Sequence, residues 1–459
     1  MAVPKAERKA PRLFGTNGVR GVVNSSQMDC QFALRLGMAI GTFMKGRVMI
    51  GTDARTSNEM LKSACASGLM ATGCDVLDCG VLPTPTLQYA VRTNNAAGGV
   101  VITASHNPPE FNGIKCIDPD GTEMSRANEE EIERIFSSGA FSKASWDGVG
   151  AMTAHTAAIE RYVHDIVSKV DAATIGRAKL RVALDCGNGA GSLATPKVLE
   201  RLGVRYVTLN SDPNGAFPGH NSEPTPDNTA DIVELVRSGG FDMGIVHDGD
   251  ADRTVFIDEK GRYLYGDRSL AIVAYHICRD KPGSLVVTNV ASSRCVEDAV
   301  RMAGGRLMLT KVGSPIIARA MIEHGGVFGG EENGGLIFAE FQYCRDGAMA
   351  AAKMLEIVAK NGRLSVLNDE IPSYCQFKTK TPCPDEKKDQ VLRRLVAEAK
   401  GAKVDTTDGV KILLDDGWVI VRPSGTEPIF RVFSEARDNA RAAELAETYR
   451  KRVECLVRG

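Results

Sequence analysis

Short apolar runs alternate with longer stretches in which apolar residues recur at helical spacing, and this alternation repeats three times along the chain. The copies are RVMIGTDARTSNEMLKSACASGLMATGCDVLDCG, LRVALDCGNGAGSLATPKVLERLGVRYVTL and SLVVTNVASSRCVEDAVRMAGGRLMLT. Each reads as strand, small polar corner, amphipathic helix, glycine and second strand, which predicts right-handed βαβ units in mixed or parallel sheets. The likeness is one of pattern and not of residues. Toward the C-terminus the pattern changes. A helix over 386–399 leads into KILLDDGWVIVRP and IFRVFSEA, two strands flanking a turn, and a long helix starts at Asn439. The expected fold class is α/β: three related mixed-sheet α/β domains plus a smaller C-terminal α+β domain, over 1–153, 154–256, 257–370 and 371–459.

A chain of 459 residues is too long for one core, in line with that division. A net charge of −1 gives no support for nucleic-acid binding, which needs a basic surface. No run approaches the roughly 20 apolar residues of a membrane helix, and MAVPKAERKAPR has no apolar segment behind it. Neither a membrane span nor a secretory signal is expected. The twelve cysteines include no CxxC pair and sit in apolar surroundings. That reads as reduced core packing in a cytoplasmic protein, not zinc ligation or disulfides.

Five stretches carry candidate chemistry. TASHNPPEFNGIK follows the apolar run GGVVI, so Ser105 and His106 stand on a strand-to-loop corner that two prolines rigidify. A nucleophile suits that corner and so does a plain turn; on an extended backbone the two side chains would point to opposite faces. HDGDADR places Asp248, Asp250 and Asp252 at alternate positions, and they can converge on a hard cation such as Mg²⁺ if the loop curls. An EF-hand is excluded, because Arg253 stands where its sharp turn needs glycine and the flanks read as strands. An acidic surface turn is the competing reading. RPSGTEP combines Arg422 with hydroxyls and a glycine-permitted backbone, the parts of a phosphate cradle or of an ordinary β-turn. GGEENGG offers carboxylates and an amide that can accept from vicinal hydroxyls of a sugar, or forms an acidic turn. FGTNGVRG puts Arg20 on a glycine-rich bend that can hold an anion.

Taken in order, FGTNGVRG, TASHNPPEFNGIK, DGDADR, GEENGG and RPSGTEP resemble the α-D-phosphohexomutase family, with a texture closest to its archaeal phosphomannomutase/phosphoglucomutase members. The resemblance implies a heart-shaped molecule of four domains around a central active-site cleft. It implies that Ser105 is phosphorylated in the resting enzyme, and that Asp248, Asp250 and Asp252 hold Mg²⁺ together with an oxygen of that phosphate. Arg20, Lys115 and Arg253 would surround the transferring phosphoryl group. Glu331 and Asn333 would contact sugar hydroxyls, and Arg422, Ser424, Gly425, Thr426 and Arg431 would grip the other phosphate. Lys115 is the candidate for the hydroxyl proton, since lysine titrates more readily than arginine. His106 becomes a neighbour of the nucleophile rather than a triad partner, with its role in positioning or proton transfer open.

The implied reaction interconverts hexose 1-phosphate and hexose 6-phosphate, of mannose or glucose, through a 1,6-bisphosphate that turns end for end. Phosphoglucosamine mutase is the alternative; a magnesium-dependent sugar phosphatase and a non-catalytic phosphosugar-binding protein are remoter. Two loops depart from the family. Gly335 and Asn333 stand where relatives carry histidine and serine, and Ser314 stands where they carry histidine or aspartate. The proton-handling role of that histidine and the specificity contacts at Ser314 do not transfer.

Overall fold

Strands VMIGT and GGVVI, Val48–Thr52 and Gly98–Ile102, are buried at every position because helices cover both faces of their sheet. The computed structural model describes residues 12–15, 17–399, 401–425 and 427–458. They form four sheets. The first runs in the order Val19–Val22, Phe111–Ile117, Gly98–Ile102, Val48–Thr52, Val76–Val81, Met152–Ala154. The second runs Tyr263–Leu264, Thr254–Asp258, Met243–His247, Arg181–Asp185, Arg205–Leu209. The third runs Arg306–Thr310, Leu285–Asn289, Phe328–Gly330, Leu336–Phe338, Gln342–Arg345.

These three sheets share one plan. Three adjacent strands are parallel, joined in the first sheet by a fourth, Met152–Ala154, and the last of the three in chain order continues through a hairpin into antiparallel strands. The fourth sheet, Cys375–Pro382, Ile429–Ala436, Gly417–Pro423, Val410–Leu414, Lys403–Asp405, is antiparallel throughout and packs against helices Asp385–Glu398 and Asn439–Arg458.

The division into units differs from the sequence expectation in two ways. Residue 256 lies inside the strand Thr254–Asp258, and its sheet continues to Leu264, so the second unit runs past the expected boundary. The cores of the second and third units are also one continuous cluster, from Tyr162 through Val182 and Leu270 to Leu355. Helices Gly266–Asp280 and Gly347–Asn361 supply it from the middle, and most residues of each are buried. The fourth unit is joined more lightly: Val290 meets Trp418 and Ile420, and Lys411 Nζ donates to the Val290 carbonyl at 2.7 Å. No helix among the described residues is long and apolar enough to cross a membrane.

Candidate active site

In each of the first three units the hairpin after the third parallel strand carries one of the candidate loops. Ser105 follows Gly98–Ile102, the HDGDADR carboxylates follow Met243–His247, and GEENGG follows Phe328–Gly330. The RPSGTEP hairpin joins Gly417–Pro423 to Ile429–Ala436 in the fourth.

Ser105 is fully buried and takes a left-handed backbone, φ 52°. A non-glycine residue held there is strained, and strain of this kind persists where the surroundings over-determine the conformation. Here they do. The Ser105 N–H donates to Thr103 Oγ1 at 2.8 Å, and that hydroxyl donates to Asp53 Oδ2 at 2.5 Å. Arg55, itself buried against Asp53, donates to the carbonyls of Ser105, Asn107, Pro108 and Phe111. Sequence reasoning missed Arg55, because the carbonyls it holds lie 50 to 56 positions away in the chain. Arg55→Met leaves Asp53 buried without its counter-charge and should cost about 3–5 kcal/mol in urea unfolding. A loss below about 1 kcal/mol would assign the shape of the corner to its prolines instead.

The same backbone turn corrects the expectation for Ser105 and His106. Their side chains do not point apart: His106 Nδ1 lies 3.4 Å from Ser105 Oγ. Burial, with Arg253 and Arg20 close by, pushes the imidazole far below its usual range, so it is neutral. It is no cationic partner for the serine.

The HDGDADR loop curls as a cation site requires. Ala251 is left-handed at φ 55°, its N–H closes on the Asp248 carbonyl at 3.1 Å, and the Arg253 N–H donates to Asp248 Oδ1 at 3.1 Å. Asp248, Asp250 and Asp252 are all buried, with one carboxylate oxygen from each within 4.8 Å of the others. Asp250 Oδ1 and Asp252 Oδ1 have no hydrogen-bond partner, and buried acceptors left unpaired are costly. Burial and the two neighbouring carboxylates push Asp248 well up; burial acts the same way on Asp250, but the Lys115 ammonium overrides it and holds that carboxyl down. The donor set, all hard oxygens with spare lone pairs, fits a divalent cation.

This loop meets the serine corner directly. Ser105 Oγ donates to Asp248 Oδ2 at 3.0 Å. Lys115 Nζ reaches Asp250 Oδ2 at 2.6 Å and Asp252 Oδ2 at 3.4 Å. Thr84, another residue the sequence did not flag, donates to Asp250 Oδ2 at 2.7 Å. Arg253 Nε stands 4.0 Å from Asp248 and 3.9 Å from Asp252, and Arg20 is tied to Asn107 Oδ1 at 2.8 Å.

GEENGG rests on the strand that leaves the aspartate loop. The Thr254 N–H donates to the Gly334 carbonyl at 3.0 Å, and a Cβ on Gly334 would stand 2.5 Å from the Thr254 carbonyl. Asn333 turns its amide oxygen onto the Gly335 N–H at 3.1 Å. Glu331 is buried, and burial pushes it up to about 7 against the pull of the Arg345 guanidinium. Ser314 is buried as well, and its hydroxyl is committed to Glu123 Oε2 at 2.5 Å.

In the RPSGTEP hairpin Arg422 and Arg431 are cross-strand neighbours, paired with Asp408 at 3.0 Å and Glu427 at 3.3 Å. Lys388 donates to the carbonyls of Ser424 and Glu427 at 2.7 and 2.8 Å, bracing the loop around Gly425. Thr426 lies outside the described residues.

Four family profiles match the chain in order. Phosphoglucomutase/phosphomannomutase alpha/beta/alpha domain I covers residues 11–143, domain II 160–261, domain III 265–374 and the C-terminal domain 379–452. A phosphoglucomutase/phosphomannomutase of Thermococcus kodakarensis is 47% identical over 456 residues, 98% of this chain and 100% of that one. A probable phosphoglucosamine mutase of Methanopyrus kandleri is 43% identical over 442 residues, 95% and 97% of the two chains. The crystal structure of a phosphoglucomutase/phosphomannomutase family protein from Burkholderia thailandensis superposes with a TM-score of 0.86 at 26% identity, over 97% of each chain.

Proposed function

This chain belongs to the phosphoglucomutase/phosphomannomutase family of α-D-phosphohexomutases, and we propose that it interconverts the 1- and 6-phosphates of mannose and glucose through a phosphorylated Ser105. One observation carries the reading: a buried serine on a strained corner donates to the first of three clustered aspartates from another unit.

Asp248, Asp250 and Asp252, with Ser105, would hold Mg²⁺. Bound there, the ion offsets charge on the phosphoryl oxygens. In the forward half-reaction the bond between phosphorus and Ser105 Oγ breaks as a bond to the free sugar hydroxyl forms. Arg20 and Arg253 stabilise the charge shared among the equatorial oxygens. Lys115 would take the hydroxyl proton as the free amine, the form that Mg²⁺ on the same aspartates would favour by displacing the ammonium proton, and a task hardly open to a guanidinium. His106, neutral, orients the serine. The 1,6-bisphosphate then turns end for end and the other phosphoryl group returns to Ser105.

Glu331 and Asn333 would read the sugar. O3 and O4 nearly exchange places on rotation, and one carboxylate can accept from both. Such contacts do not sense C2, which is the reason for dual specificity. Arg422, Ser424, Gly425, Thr426 and Arg431 would hold the distal phosphate. Substrates are thus hexose phosphates, and the setting is the reducing cytoplasm in which twelve free cysteines are stable.

Intact mass of the purified protein should show one added phosphoryl group, located on Ser105 by fragmentation, and mannose and glucose 1-phosphates should turn over at similar rates. A strong preference for glucosamine 1-phosphate would favour the reading that the Methanopyrus kandleri relative's name supports. Inorganic phosphate released as fast as substrate disappears would make the protein a phosphatase.

A further inference from the structure

Gly335 has no side chain for a reason that lies elsewhere in the chain. A Cβ at this position would stand 2.3 Å from Cδ and 2.9 Å from Cγ of Arg345. The middle of that arginine cannot move aside, because its far end is anchored. Nη2 donates to Asp252 Oδ2 at 2.7 Å and to Glu123 Oε1 at 3.0 Å. Its backbone is fixed too: Arg345 pairs with Ile337 across the sheet, and the next residue, Asp346, caps the helix Gly347–Asn361 and accepts from Tyr162 at 2.6 Å.

Arg345 therefore touches three units at once: Glu123 from the first, Asp252 from the second and, at 3.8 Å, Glu331 from its own. The Glu331 contact is an ion pair beyond hydrogen-bond range, while Arg345 Nε is buried with no acceptor. The guanidinium thus has donor capacity left over, and its Nη1 is the positive charge beside the Glu331 carboxylate.

We propose that Arg345 is a positioning residue that fixes Glu331 for the sugar, using the volume that a side chain at position 335 would otherwise fill. This rests on the mutase reading and adds to it the residue that sets hydroxyl recognition. Glu331 takes its direction from a cation that is itself referenced to Asp252, so the loop that reads hydroxyls is held in register with the aspartate loop beside Ser105.

The test compares glucose 1-phosphate with 3-deoxyglucose 1-phosphate as substrates. The unsubstituted enzyme should discriminate against the deoxy analogue. Arg345→Met should lower kcat/KM for glucose 1-phosphate at least about 100-fold and shrink the discrimination at least about ten-fold, while Arg345→Lys recovers part of both. Equal losses on the two substrates would make Arg345 merely structural and overturn the proposal. Gly335→Ala leaves every buried charge in place, so it guards against a misfolded arginine variant. It should be harmful alone and add little in an Arg345→Ser background, whereas additive losses would refute the shared volume. An unsubstituted enzyme that isomerises nothing would remove both this proposal and the mutase reading; isomerisation with unchanged discrimination in Arg345→Met would remove this proposal alone.

Discussion

Ser105→Ala should reduce isomerisation by about 10⁴-fold or more while hexose-phosphate affinity changes little. The asymmetry follows from what the hydroxyl does. It is the only protein atom proposed to form and break a bond to phosphorus, so no neighbour compensates: His106 is neutral and lies 3.4 Å from it, and Lys115 is engaged by two aspartates. Binding, in contrast, is proposed to draw on the GEENGG and RPSGTEP hairpins, which the substitution leaves intact. The measurements are glucose 6-phosphate formation from glucose 1-phosphate with a trace of the bisphosphate, and calorimetric titration with glucose 1-phosphate. Turnover within about ten-fold of the parent would end the phosphoserine account.

Removing divalent metal should be nearly as severe. Exhaustive chelation is expected to lower turnover by about 10³-fold or more, with magnesium restoring it. Lys115 and Arg345 pair with one oxygen each of Asp250 and Asp252, but Asp250 Oδ1 and Asp252 Oδ1 remain buried acceptors without a partner, which a divalent cation would satisfy. Magnesium at about 100 times its dissociation constant should add about 2.7 kcal/mol of stability, seen as a higher melting temperature. Asp250→Asn should abolish that increment. Full turnover after chelation would mean that the cluster serves folding alone.

Much of this is legible in the sequence, and the residues that are not share a cause. The strand and helix runs and the five loops follow from local periodicity and local turn chemistry, which a linear reading captures. The Ser105–His106 geometry escapes such a reading because the left-handed backbone at Ser105 is imposed by Thr103, Asp53 and Arg55, not by its own residue type. Arg345 and Glu123 are invisible for a related reason: they are separated by 222 positions, and Arg345 and Asp252 by 93. An arginine inside the apolar context FQYCRDG is the available signal. The merged core of the second and third units also escapes, since apolar faces do not announce which sheet they will cover.

The three equivalent hairpins have a consequence for how such a molecule changes over generations. Repetition frees each copy to abandon what its siblings retain, so one carries the buried serine corner, one the acidic cluster and one the GEENGG loop. Because each sits outside the buried strands, edits there leave the scaffold untouched, and a relative at 26% identity can still overlay 97% of the chain.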